Sequence, residues 1–267
     1  MADNGDPLEW IVFLARSEAR VDVLEYLTEH GETTQSDVAA EIAVSERTIT
    51  RTFNQFVDRG WVETESRSYR LTSVGELVAR EFLSLTGSFQ EIEALSPFCR
   101  WFPTAAYDLD ISKLLGAEVT AHSESEPYAP ARAQSQLLER TNTYRALLPS
   151  VDLEGTEVAY EEMKAGRLET ELIVPPRIKE TMGNHEYTPL LREHIAAGRL
   201  VLRVAEHVPE FHLGLADDGI VQIGVEDDSG LPRALVETTD PDVRSWGEEI
   251  YSEYRAQSTT VPETDLC

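Results

Sequence analysis

The chain has 267 residues, 49 Asp and Glu against 23 Lys and Arg, and a formal net charge of −26. Its 41% hydrophobic content supports a sizeable core and excludes an acidic disordered tail, and its length suits two domains of about 100 to 200 residues each. Two cysteines, Cys99 and Cys267, exclude a disulfide scaffold and a Cys-ligated metal site. Only Lys113, Lys164 and Lys179 accompany 20 arginines, and the carboxylates are dispersed, which is the surface expected in a salt-rich cytoplasm. The N-terminus has no basic region ahead of its apolar run, and no stretch approaches 18 apolar residues. A soluble, cytoplasmic protein without membrane partners is expected.

Asp6 and Pro7 form a helix start, continued by LEWIVFLARS. Val21, Leu24 and Leu27, with Val23 beside them, give a second helix that Gly31 stops. A third follows with Thr34 or Ser36 as cap and Val38, Ala39 and Ile42 on one face. Ser45 caps a fourth helix that runs to Arg59 and ends at Gly60. Residues 61–63 and 69–72 then read as strands around a polar TESRS turn. This order is that of a winged helix-turn-helix spanning residues 1–72.

In the fourth helix Ile49, Phe53, Phe56 and Val57 share an inward face, while Arg47, Arg51, Asn54, Gln55 and Asp58 point outward. Residues 44–72 carry five arginines, a local concentration that the acidic remainder does not share. Ser45, Arg47, Thr48, Arg51, Asn54 and Gln55 on the helix, with Arg67 and Arg70 in the wing, are the candidate contacts to double-stranded DNA. From residue 73 to 98 a helix places Val78, Phe82, Leu85, Phe89 and Ile92 four and three apart, the spacing of a homodimer seam.

Beyond residue 99 the pattern alternates. Strand-like segments at 118–121, 145–148, 172–174 and 200–204 are interleaved with helical ones at 131–141, 157–165 and 188–197. FHLGLA, IVQIGVE and RALVETT are three further strands, joined by the acidic glycine turns 217–219 and 227–230. Asp217, Asp218, Asp227 and Asp228 admit a metal-site reading, but turn chemistry accounts for them. Asp240 and Pro241 start a last helix with Val243, Trp246, Ile250 and Tyr254 on one side. The whole is an α/β domain with a mixed sheet over 99–257, followed by a flexible tail, 258–267.

No phosphate loop, paired CxxC or HExxH is present, and HEYTP at His185 lacks the second histidine. No cofactor or metal is expected. HLGLADDG resembles the single-histidine motif of the phospholipase D superfamily, with His212 in the histidine position. Gly214 stands in the lysine position and Gly219 in the aspartate position, so the positive charge that phosphoryl transfer requires is missing. His212 is therefore a candidate ligand contact, not a nucleophile. FLARSEARVDVLEYL, SERTITRTFNQFVDRGWVE, YRLTSVGELVAREF, EPYAPARAQ and DLDISKLLGAEVTA together resemble archaeal winged-helix regulators whose C-terminal domain is like that of the methanogenesis regulatory protein. That domain also resembles the degenerate phospholipase D-like sensors of archaeal sugar-responsive regulators. The resemblance implies a non-enzymatic transcription regulator of haloarchaeal type, with a small-molecule effector bound by the C-terminal domain. Two rivals are a phosphodiesterase and a protein-interaction module whose winged helix no longer binds DNA.

Overall fold

The computed structural model describes residues 6–183 and 187–265, so His185 and Cys267 lie outside the described residues. The chain divides into two compact units, 1–90 and 91–267.

In the first unit α1 (Pro7–Ala15) starts where Asp6 accepts a hydrogen bond from Leu8 N. α2 (Glu18–His30) ends at Gly31, whose φ of 72° is the left-handed exit that glycine permits. A two-residue strand β1 (Thr33–Thr34) precedes α3 (Gln35–Glu41), which Thr34 and Asp37 start with a capping box. α4 (Glu46–Asp58) is capped by the Ser45 hydroxyl at Thr48 N. The wing follows as β2 (Val62–Glu65) and β3 (Ser68–Leu71), and β1 adds to it in the order β1-β3-β2. β1 was not legible from sequence, because two residues form a strand only when a partner edge is present.

The core of this unit gathers Leu14, Val23, Leu24, Leu27, Val38, Ile49, Phe53 and Phe56 around Trp61. Trp61 is wholly buried, and the rings of Trp10, Phe13 and Phe56 pack on it at 5.4 to 5.9 Å. α5 (Ser73–Cys99) begins against the same residue. At Gly75 a Cβ would lie 1.9 Å from the Trp61 carbonyl oxygen, so only glycine lets the helix approach.

α5 departs from the expected seam. Val78 and Phe82 pack into the core of the winged unit, with Phe82 only 6% exposed. Leu85, Phe89 and Ile92 remain exposed. Heptad spacing fixes which residues share a face but not whether that face meets its own domain or a partner, and Val78 and Phe82 meet their own domain. The helix also continues through Pro97, and Leu95 and Phe98 enter the core of the second unit.

The second unit contains β4 (Glu118–Ala121), α6 (Ala129–Leu138), β5 (Thr143–Leu147), α7 (Leu153–Lys164), β6 (Glu169–Val174), α8 (Pro176–Met182) and α9 (Thr188–Ala196). β7 (Leu200–Val204), β8 (Phe211–Ala216), β9 (Val221–Glu226), β10 (Pro232–Thr238), α10 (Pro241–Gln257) and β11 (Thr259–Thr260) complete it. Eight strands form one sheet, β11-β7-β6-β5-β8-β9-β10-β4. β5, β6 and β7 are parallel and joined by helical crossovers, while the hairpins β8-β9 and β9-β10 are antiparallel. β8 lies at the junction of the two patterns and is buried along its whole length.

Alternation along β8 separates the two faces of the sheet. Phe211, Leu213 and Leu215 join Val243, Tyr251 and the end of α5 in one core, while Ala216 joins Tyr144, Leu137, Met163 and Leu191 in the other. The expected flexible tail needs correction. Thr259 and Thr260 pair with Val204 and Arg203 at the sheet edge, and Val261 is buried. Arg203 holds this strand by donating to Ser258 Oγ and Thr260 Oγ1 at 2.8 and 3.0 Å.

Candidate functional site

Within the winged unit the outward face of α4 carries Arg47, Arg51 and Asn54, all exposed. Neither arginine has a carboxylate within ion-pair distance among the described residues. Ser45 and Thr48 spend their hydroxyls on each other, at 3.0 Å, and on the helix cap. Gln55 is not free to read a base as expected: its Oε1 accepts from Arg20 Nε at 3.3 Å. Arg70 pairs with Glu63 across the strands of the wing at 2.7 Å.

The wing is held against α4 by a chain of hydrogen bonds. Thr50 Oγ1 donates to Gln35 Oε1 at 2.9 Å, Gln35 Nε2 donates to Tyr69 Oη at 2.8 Å, and the Tyr69 ring packs on Phe53 at 4.2 Å. The TESRS turn is tighter than the sequence suggested, because β2 and β3 extend to Glu65 and Ser68. Ser66 and Arg67 alone make the turn, with φ values of 50° and 78°. Asn-Gly is the usual solution for such a two-residue turn, so Arg67 occupies a left-handed position at a cost of about 1 kcal/mol.

The second site is a cavity of about 460 Å³ between the sheet and helices α6 and α7. Leu138, Leu148, Met163, Leu172 and Leu235 give it apolar walls, and Ser135, Ser150, Asp152, His212 and Glu226 supply the polar groups. His212 is 5% exposed, and burial pushes its imidazole down to about 3, so it is neutral. Its Nε2 lies 2.9 Å from Tyr144 Oη. Gln222 sets the proton order here. Its Nε2 donates to Glu237 at 2.9 Å, its Oε1 accepts from Tyr144 Oη at 3.3 Å, and His212 Nε2–H therefore donates to the tyrosine oxygen. Burial is also the main cause that raises Glu226, whose Oε1 accepts the Ser150 hydroxyl.

This geometry explains the departure from the phospholipase D motif. At Gly214 a Cβ would lie 2.0 Å from Tyr144 Oη and 2.6 Å from its Cζ, so the phenol fills the place where a lysine side chain would begin. Neither Tyr144 nor Gln222 stood out in the sequence, since each reaches His212 only through the pairing of β5 and β9 with β8.

The acidic turns are structural. Asp217 accepts from Thr141 and Asn142, hydrogen bonds that lower its carboxyl to about 2. Asp227 accepts from Ser229 and Leu231 and pairs with Arg233. No group of three or more metal-ligating side chains exists among the described residues. No helix among them is long and apolar enough to cross a membrane.

Two family models match the chain. Residues 127–257 match the middle domain of the methanogenesis regulatory protein FilR1, and residues 8–94 match the HVO_A0261 N-terminal domain. No curated protein matches significantly. Among solved structures the chain is similar to TrmBL2, described as an archaeal chromatin protein with a novel mode of DNA binding. The identity is 14% over 96% of this chain and 100% of that one, with a TM-score of 0.43. It is also similar to Nuc, a phospholipase D family member from Salmonella typhimurium, at 13% identity over 55% of this chain and 99% of that one, with a TM-score of 0.42. NucT from Helicobacter pylori is similar at 10% identity over 54% of this chain and 98% of that one, also with a TM-score of 0.42.

Proposed function

We propose that this chain is a sequence-specific DNA-binding transcription regulator whose second unit binds a small-molecule effector. The carrying observation is the outward face of α4, where Arg47, Arg51 and Asn54 stand exposed, with no side-chain partner among the described residues, in a chain of net charge −26. An acidic protein surrounds most of its arginines with carboxylates, so a face that leaves them open is one kept for a polyanion. Arg67 at the wing tip, in its left-handed position, supports the same reading, because glycine would serve the turn better. The match of residues 127–257 to the middle domain of a regulatory protein supports regulation over catalysis. The phenol of Tyr144 above Gly214 speaks against the phosphodiesterase alternative, and the open arginines speak against a winged helix that has lost DNA.

The cavity beside His212 is the proposed effector site, and its lining favours a largely apolar, uncharged or weakly polar molecule. Arg132, the cation in its wall, already pairs with Glu126 at 3.2 Å. The working form is a homodimer. Leu8, Trp10, Ile11 and Val12 on α1 and Val74, Leu77, Leu85, Phe89 and Ile92 on α5 are exposed, an amount of open apolar surface that a second copy would cover. The overall charge fits a halophilic archaeal host. The reading is tested by selecting duplexes from a random-sequence pool with the full chain in molar potassium chloride. Enrichment of a two-fold symmetric motif is the expected result, and a pool that stays random rejects sequence-specific binding.

A further inference from the structure

Beside the residues singled out on α4 and the wing, the winged unit holds further arginines. Arg59 Cζ sits 3.5 Å from the centre of the Phe13 ring, and Arg20 Cζ sits 4.0 Å from the same ring. Gln55 holds both side chains: its Oε1 accepts from Arg20 Nε at 3.3 Å and its carbonyl accepts from Arg59 Nη1 at 3.1 Å. Arg20 Nη1 also donates to the Phe13 carbonyl. Arg20 is thus anchored at both ends of its guanidinium, and three elements, α1, α2 and α4, converge to keep it there.

None of Arg16, Arg20, Arg51 and Arg59 has a carboxylate within 4.0 Å among the described residues. Most arginines of the second unit do have one, Arg100, Arg177 and Arg199 excepted. There Arg132, Arg140, Arg145, Arg167, Arg233 and Arg244 each have an acidic partner. Acidic residues outnumber basic ones by 49 to 23, yet Arg16, Arg20, Arg51 and Arg59 have no acidic partner among the described residues, and three of them lie around the fourth, Arg20. Burial first, then the charges of Arg59, Arg51 and Arg16, hold Arg20 below the ordinary arginine value, which places each of those three within electrostatic reach of Arg20. The nearest acidic residues on α2 do not relieve this: Asp22 is raised by burial and then by Glu18, with no arginine among the causes. Asp58 and Glu46, on α4, are exposed.

We infer that Arg16, Arg20, Arg51 and Arg59 form a seat for the phosphate backbone of DNA, with Phe13 and Gln55 as its rigid support. This deepens the DNA-binding reading and rests on it. Like charges held together without counter-charges repel, and a run of phosphates relieves that repulsion while displacing condensed counterions. The seat adjoins the base-reading face through Arg51, so α4 would enter the groove while Arg16, Arg20 and Arg59 grip the strand beside it. The grip carries no sequence information and fixes register.

The test is fluorescence anisotropy on two 30-bp duplexes, one selected by the protein and one of scrambled sequence, across a series of potassium chloride concentrations. The protein is the full chain, as wild type, Arg16→Gln, Arg16→Gln with Arg59→Gln, and Arg80→Gln. Arg80 already pairs with Glu81 at 2.7 Å on α5 and is the control. The double variant should bind both duplexes about tenfold more weakly and change the slope of log affinity against log salt by about 2, roughly 0.9 per lost phosphate contact. Arg16→Gln, at a side chain with no hydrogen bond or ion pair among the described residues, should give about half that slope change without touching the fold. Arg80→Gln should match wild type. If Arg16→Gln and the double variant keep the wild-type slope and affinity while wild type still prefers its selected duplex, the seat is wrong and the DNA reading stands. If wild type binds neither duplex, both are wrong.

Discussion

Replacing His212 by glutamine should change how stability depends on pH, in a direction and by an amount that the structure supplies. The imidazole is 5% exposed on β8, and burial pushes it down to about 3 from a value near 6.5 in the unfolded chain. The folded value is the lower one, so the unfolded chain takes up the proton first as pH falls. The stability contributed by the neutral ring is complete above pH 6.5 and is lost progressively between 6.5 and 3. From pH 7 to pH 5 the loss assigned to His212 is about 2 kcal/mol. A protonated ring would place a second N–H at Nδ1, which has no hydrogen-bond partner among the described residues. Urea titrations of wild type and His212→Gln at pH 7 and pH 5, in molar potassium chloride, isolate this contribution, because every other titrating group cancels in the difference. The variant should be the less stable protein at pH 7, through loss of the Tyr144 contact, and should regain about 2 kcal/mol relative to wild type by pH 5. Parallel pH profiles would show that the ring is not held neutral by burial. Long-range proton–nitrogen spectra of histidine-labelled protein should show the Nε2–H tautomer at pH 7, and an Nδ1–H signal would overturn the hydrogen-bond order through Gln222.

Arg67→Gly should raise the stability of the winged unit by about 1 kcal/mol while weakening DNA binding, a combination that a purely structural wing residue would not give; denaturant titration and anisotropy read the two effects separately. Leu85→Glu with Phe89→Glu should produce a folded monomer in multi-angle light scattering, whereas Phe82→Glu should unfold the winged unit because Phe82 lies in its core. Gly214→Lys rebuilds the sequence motif but sets a side chain against Tyr144, and it should destabilise the second unit without conferring hydrolysis of bis(p-nitrophenyl) phosphate.

Much of the winged unit was legible because its signals are local. Asp6, Thr34, Ser45, Gly31 and Gly60 start and stop helices through the backbone groups next to them, and the two faces of α4 follow from its period. What failed depended on partners distant in sequence. β1 and β11 exist only as additions to other strands, and Gln55 is withdrawn from the outward face by Arg20, 35 residues away. The Phe13 cluster requires α1, α2 and α4 to have packed before any of its arginines meet. In the second unit the strands other than β11 were legible, with shifted ends, but the cavity was not, since His212 acquires its meaning from Tyr144, 68 residues earlier.

The central claim is that α4 reads DNA, and the most direct measurement is the affinity of wild type and Arg51→Ala for the duplex that the protein itself selects. Arg51 is exposed on α4 with no acidic partner among the described residues, so its loss should leave folding intact by circular dichroism. The account predicts that Arg51→Ala binds about 10- to 100-fold more weakly, a base-reading contact of about 1 to 3 kcal/mol, with reduced discrimination against a scrambled duplex. A folded Arg51→Ala protein that binds and discriminates like wild type would contradict it.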